Sequence, residues 1–136
     1  MVEFSITYQG GLHCEAVHGP SQSHIETDAP VDNHGKGAAF SPTDLCATSL
    51  GACMMTIMGI VAQNKGIVLD GTKLKVRKHM TAAPPRRIAR IEVDFEIPLP
   101  PDHPERAALE QAAITCPVAL SLHPDIEKPV TFNWHG

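Results

Sequence analysis

The chemistry available to this chain lies first in its four cysteines, Cys14, Cys46, Cys53 and Cys116. A thiolate is a nucleophile and a metal ligand, whereas a buried protonated thiol is only packing. No two of the four are spaced C-x-x-C, and they do not form the dense framework of a small secreted domain. A reducing, cytoplasmic compartment is therefore the expectation. Cys116 precedes Pro117, so it falls where a helix would begin. Unpaired N–H groups and the positive end of the helix dipole there would stabilise a thiolate. The alternative, a packed cysteine before a turn, stays open. Cys53 lies in a long apolar run and reads either as a small core residue or as a reactive thiol. Cys46 sits seven residues earlier, roughly 10 Å away along the same helix face, too far for a disulfide to Cys53. It reads as core. Cys14 falls in an expected strand and could be buried or exposed.

His13, Cys14 and His18 raise the question of a metal. In a strand, adjacent side chains point to opposite faces, so His13 and Cys14 cannot readily share one ion, and no metal or cofactor site is expected. The chain has no Gly-rich phosphate loop, nucleophile elbow or H-E-x-x-H motif. Its net charge is −4, and its densest basic group is Lys73, Lys75, Arg77 and Lys78, so nucleic-acid binding gets no support. The N-terminus has neither the basic flank nor the apolar stretch of a signal peptide.

The elements that must position these thiols follow from periodicity. A length of 136 residues with 43% apolar content supports one domain, residues 1–136, with a real core. Aromatics are only 4%, so that core is aliphatic, and a partner's surface would help to complete it. Val2, Phe4, Ile6 and Tyr8 alternate with Glu3, Ser5, Thr7 and Gln9, the pattern of a half-buried strand. Gly10-Gly11 then marks a hairpin turn. Further strands are expected over residues 12–17 and His24–Asp28, followed by a loop over 29–40. Ser41, Pro42 and Asp44 form a helix start, and Lys65-Gly66 a stop. No charged residue occurs between Asp44 and Lys65. Such a helix is long enough to span a bilayer. Its Thr48, Ser49 and Thr56 and its soluble-looking flanks favour instead burial at the centre of a core or dimer. Ala47, Gly51, Ala52 and Gly59 would let another helix approach closely.

Strands follow over Lys73–Met80 and Ile88–Ile97. Asp102 and Glu105 have the spacing of a capping box for a helix over 103–115. A short helix from Cys116 to about His123 and a last strand carrying Val130, Phe132 and Trp134 complete the chain. Strand runs separated by helices, with hairpins inside the runs, define an α+β class with antiparallel pairing.

The element SPTDLCATSLGACMM, followed about 60 residues later by CPVALSLHPDI, resembles the OsmC/organic-hydroperoxide-resistance family, and the likeness extends through nearly the whole chain. The resemblance implies an intertwined homodimer with antiparallel sheets around a long central helix. It also implies a thiol peroxidase in which Cys53 attacks the hydroperoxide and Cys116 resolves the product, reversing the preference for Cys116 that local physics suggests. Oxidative-stress defence, a peroxide substrate and a dithiol reductant follow from it. Two family positions differ here. The peroxidases carry Glu ten residues before the nucleophile, where this chain has Thr43. They carry Arg after the hairpin glycines, where this chain has Leu12. These departures align the chain with the broad OsmC-like branch. They also sustain the competing expectation of a non-catalytic protein that binds a small molecule or senses oxidants.

Overall fold

The computed structural model describes all 136 residues, Met1–Gly136. In chain order the elements are β1 (Phe4–Tyr8), β2 (His13–His18), β3 (His24–Asp28), a 3-10 turn at Val31–Asn33, α1 (Pro42–Asn64), β4 (Lys73–Met80), β5 (Ile88–Ile97), α2 (Arg106–Ile114), α3 (Pro117–Ser121) and β6 (Val130–Trp134). This is the expected α+β class. The chain divides into two compact units, Met1–Cys46 and Ala47–Gly136.

In the first unit β1, β2 and β3 form an antiparallel sheet in that order. Gly10 (φ +82°) and Gly11 (φ +59°) make the expected hairpin turn, which only glycine enters without strain. Directly paired residues share a face. The pairs Phe4–His18, Ile6–Ala16, Tyr8–Cys14 and Ala16–Ile25 therefore gather one apolar face. The half-burial expected of β1 does not occur within a single chain: all five of its residues are exposed, Ile6 at 71%. The opposite face holds His13, whose Nδ1 lies 2.8 Å from the buried carboxylate of Asp28. Asp28 also accepts the Ala38 N–H at 3.0 Å, which ties the 29–40 loop to the sheet. The Asp28 hydrogen bond raises the His13 pKa above its ordinary value, and that of Asp28 is lowered in return.

The helix start forms as a reciprocal box. The Ser41 N–H donates to Asp44 at 2.9 Å, and the Asp44 N–H donates to Ser41 Oγ at 3.1 Å. At the other end Gly66 (φ +67°) lets the Ile67 N–H return to the Ala62 carbonyl, which stops the helix.

In the second unit the buried residues of α1 are Ala47, Leu50, Gly51, Met54, Met58 and Ala62, a single stripe at three- and four-residue spacing. The helix is long and apolar enough to cross a membrane by length and composition, and 33% of its apolar window is buried. Gly51 gives β4 close access: a Cβ there would lie 2.8 Å from Val76 Cγ2. The neighbour that needs this glycine is thus a strand of the same chain, where the sequence suggested a helix.

The second sheet runs β4-β5-β6. β4 and β5 pair antiparallel, as expected of consecutive strands, whereas β6 joins β5 in parallel. A parallel neighbour needs a long crossover, and α2 and α3 provide it. Ile91, Val93, Phe95 and Ile97 of the central strand are fully buried, and Phe95 stacks on Phe132 at 4.9 Å. On the other side of β5, Glu92 receives hydrogen bonds from Arg77 and Arg90, which hold its carboxyl at about 2. The expected capping box at Asp102 does not form. Glu105 itself is the N-cap of α2, and its carboxylate lies 3.1 Å from Lys65 Nζ. The Pro-rich approach to α2 is taken up in turns, so the helix begins later than its pattern suggested.

Candidate functional site: two adjacent thiols

Cys53 lies midway along α1, one residue before the buried Met54, and is half-buried. The stripe of large residues beside it fixes the rotation of the helix and so the direction in which this thiol points. Cys116 is fully buried. It is the N-cap of α3, with extended backbone (φ −68°, ψ 154°) and Pro117 in the first helical position. Its Sγ accepts the Ala119 N–H at 3.4 Å. The two thiols are close enough for Cys53 to act on the ionisation of Cys116, and both are free. Residues 63 positions apart are thereby brought together by the packing of the second unit.

The Cys-Pro helix start exists, and the cap contact it promised is made. Its expected electrostatic consequence is overturned. Burial pushes the Cys116 thiol above its ordinary value of 9.0, the Ala119 N–H opposes that shift, and the neighbouring Cys53 thiol adds to it. The rise reflects desolvation of the charged form, which outweighs what the Ala119 and Val118 N–H groups return. Cys116 therefore keeps its proton at neutral pH, while the half-buried thiol beside it is the one that solvent reaches. Such a pair can do two-electron chemistry: an oxidant takes Cys53, and Cys116 closes a disulfide. Ala119, which the sequence reading did not single out, supplies the N–H facing Cys116. Its signal was the Cys-Pro-Val-Ala spacing, since a cap accepts from the third helical residue.

The other candidates lie elsewhere. Cys14 is half-buried on β2, paired across from Tyr8 and Thr27. Cys46 is half-buried in the first unit's share of α1. His13 is held by Asp28 and Glu26, and His18 by Ser21. Thr43 shares a hydrogen bond with Ser41 at 3.2 Å. Leu12 sits in the hairpin turn with a positive φ of 62° and is 46% exposed.

The site is thus two adjacent thiols, one on a long helix and one capping a short helix, in an α+β chain. The chain belongs to the OsmC-like protein family, whose model matches residues 34–128. Among solved structures, it is similar to a protein of Psychrobacter arcticus described as a candidate osmotic stress induced and detoxification response protein. Identity is 46%, coverage is 97% of this chain and 96% of that one, and the TM-score is 0.91. An organic hydroperoxide resistance protein OsmC of Legionella pneumophila shares the fold at 18% identity, covering 98% and 96% of the two chains with a TM-score of 0.76. A Vibrio cholerae protein described as a candidate organic hydroperoxide resistance protein, with captopril bound in one of its active sites, does so at 19% identity, 96% and 91% coverage and a TM-score of 0.74. No curated protein matches the sequence.

Proposed function

We propose that this protein is a cytoplasmic, homodimeric thiol peroxidase that reduces organic hydroperoxides in oxidative-stress defence. The observation that carries this reading is the contact between the half-exposed Cys53 thiol and the buried Cys116 thiol. The Cys53 thiolate attacks the weak O–O bond of ROOH; the peroxide releases ROH, and Cys53 becomes the sulfenic acid. The Cys116 sulfur displaces water from that sulfenic acid and closes the disulfide. A dithiol reductant reopens it by exchange, returning two protons and two electrons and leaving as a disulfide. The hydroperoxide-resistance descriptions of several structural relatives support the substrate class.

The experiment is intact-mass analysis after one equivalent of an organic hydroperoxide. The wild-type protein is expected to lose two hydrogens, mapping to Cys53 and Cys116. Cys116→Ser is expected to stop at a sulfenic acid on Cys53 that a dimedone-type reagent traps, and Cys53→Ser to give no rapid adduct at Cys116. Cys14→Ser and Cys46→Ala should leave peroxide consumption largely intact. Swapped trapping outcomes would make Cys116 the nucleophile. Slow oxidation at every cysteine alike would instead favour a non-catalytic binding or sensing protein, a reading supported by Thr43 and Leu12 where family peroxidases carry Glu and Arg.

A further inference from the structure

We propose that Cys116 is a redox-sensitive helix cap: bridging it to Cys53 withdraws its sulfur from the Ala119 N–H, loosens α3 and opens the disulfide to a reductant. This rests on the pairing of the two cysteines proposed above, and it adds a conformational step that the pairing alone does not contain.

Three observations carry it. First, the side-chain cap of α3 is a sulfur atom that also belongs to the thiol pair. Cys116 Sγ accepts the Ala119 N–H at 3.4 Å and at the same time meets the Cys53 side chain. Second, α3 has little else to hold it. It is five residues long, none of them is buried, and Leu120 is 75% exposed. A helix this short does not persist on propensity alone, so its cap and local hydrogen bonds, among them Leu120 N–H to Cys116 O, Leu122 N–H to Val118 O and Ser121 Oγ–H to Pro117 O, decide whether it stays formed. Third, Cys116 is fully buried in the thiol form. Thiol–disulfide exchange needs an attacking thiolate to reach a sulfur of the bridge, so while α3 stays in place a reductant has access only on the Cys53 side.

Closing the bridge forces these roles apart. The two sulfurs must move from non-bonded proximity to a covalent separation of about 2.05 Å, and the Cys116 sulfur is drawn toward α1. The atom that faced Ala119 is then displaced, and the N–H it satisfied is left to water. Segments with few buried contacts are the first to open, and α3 is such a segment. In the reduced protein the cap is in place and Cys116 is sealed. In the oxidised protein α3 frays and the Cys116 side of the bridge is uncovered. Reduction restores the cap.

The test forms the bridge without peroxide. Diamide takes two electrons and two protons from the Cys53 and Cys116 thiols, its N=N bond becoming the hydrazine, and the bridge is located by peptide mass. Amide hydrogen exchange is then compared between reduced and bridged full-length protein. Exchange at residues 119–122 is expected to accelerate about tenfold or more on bridging, while β4 and β5 stay unchanged. In Cys116→Ser the hydroxyl still caps but cannot bridge, so diamide should leave α3 exchange unaltered. Equal or slower α3 exchange in the bridged protein overturns the proposal, as does the same acceleration in diamide-treated Cys116→Ser. Failure of diamide to form the bridge also overturns it. Turnover with a rigid α3 would sink the cap and spare the peroxidase reading. Loosening of α3 on bridging, without peroxide consumption, would do the reverse.

Discussion

At Cys116 two effects act on one proton, and their sizes decide the roles in the pair. The helix start offers the sulfur an N–H and a partial positive charge, worth at most about 2 kcal/mol for a full-length helix in favourable geometry. Complete burial removes the solvation of a thiolate, which costs more. The thiol is therefore pushed up, with desolvation the largest cause and the Cys53 thiol adding to it. A raised pKa means that Cys116 is protonated through neutral pH and ionises only above its ordinary value of 9.0. We expect ultraviolet thiolate titration in a Cys14→Ser/Cys46→Ala background to find the Cys116 midpoint above that value. Adding Cys53→Ala should bring it down, because both contributions from Cys53 disappear. A midpoint below the ordinary value would restore the helix-dipole argument. At this scale the sequence was informative about identity and misleading about energetics. The Cys-Pro pair announced the cap, but no local pattern reports that the cap would be fully enclosed, because enclosure comes from residues far away in the chain.

Among the elements, α1 was the most legible and α2 the least. Ser41, Asp44 and Gly66 are local signals with local consequences, and each does in the structure what its type and position implied. The start of α2 depends on how a Pro-rich segment turns before the helix, and the Asp102–Glu105 spacing carries no information about that. The parallel pairing of β6 was likewise invisible, since register and direction across a helical crossover are set by tertiary packing. Gly51 joins the two kinds of information: its smallness was evident, its partner was not. Gly51→Ala would put a methyl group 2.8 Å from the stiff Val76 Cγ2 and 3.6 Å from Leu74 Cδ2. Overpacking of this kind costs about 1–3 kcal/mol, so urea denaturation should show a lower midpoint with an unchanged slope. Gly59→Ala is the internal control. Nothing lies within 4 Å of its added carbon, and replacing a helical glycine by alanine gains about 1 kcal/mol. A loss of stability in that variant would mean that a second copy of the chain lies against the helix there.

For the whole molecule, the question is what covers the apolar surface that one chain leaves open. Phe4, Ile6, Tyr8 and Ile25 share one face of the first sheet and are 62%, 71%, 63% and 52% exposed. Large side chains gathered on one face of a sheet mark an interaction surface, whereas scattered ones would need no account. The alternation in residues 2–8 foretold a buried face, and β1 forms as that alternation requires; the cover is what the single chain lacks. Two-thirds of the apolar window of α1 is also unburied, with Ile60 50% exposed. A second copy of the chain is the cover we propose, since it would bring the same unsatisfied surfaces in equal number and close the association by symmetry. Sedimentation equilibrium at micromolar concentration should then give twice the chain mass. Ile6→Glu should shift the equilibrium toward monomer. Burying one isoleucine is worth about 1.5–3 kcal/mol, and an unpaired carboxylate in its place adds a further penalty, so the dimer should weaken by at least about tenfold. Because Ile6 is exposed in the single chain, the substitution removes nothing from the core of either unit, and the Ile6→Glu monomer should keep its strand and helix content by circular dichroism. A wild-type chain that stays monomeric and folded at micromolar concentration would overturn the dimer.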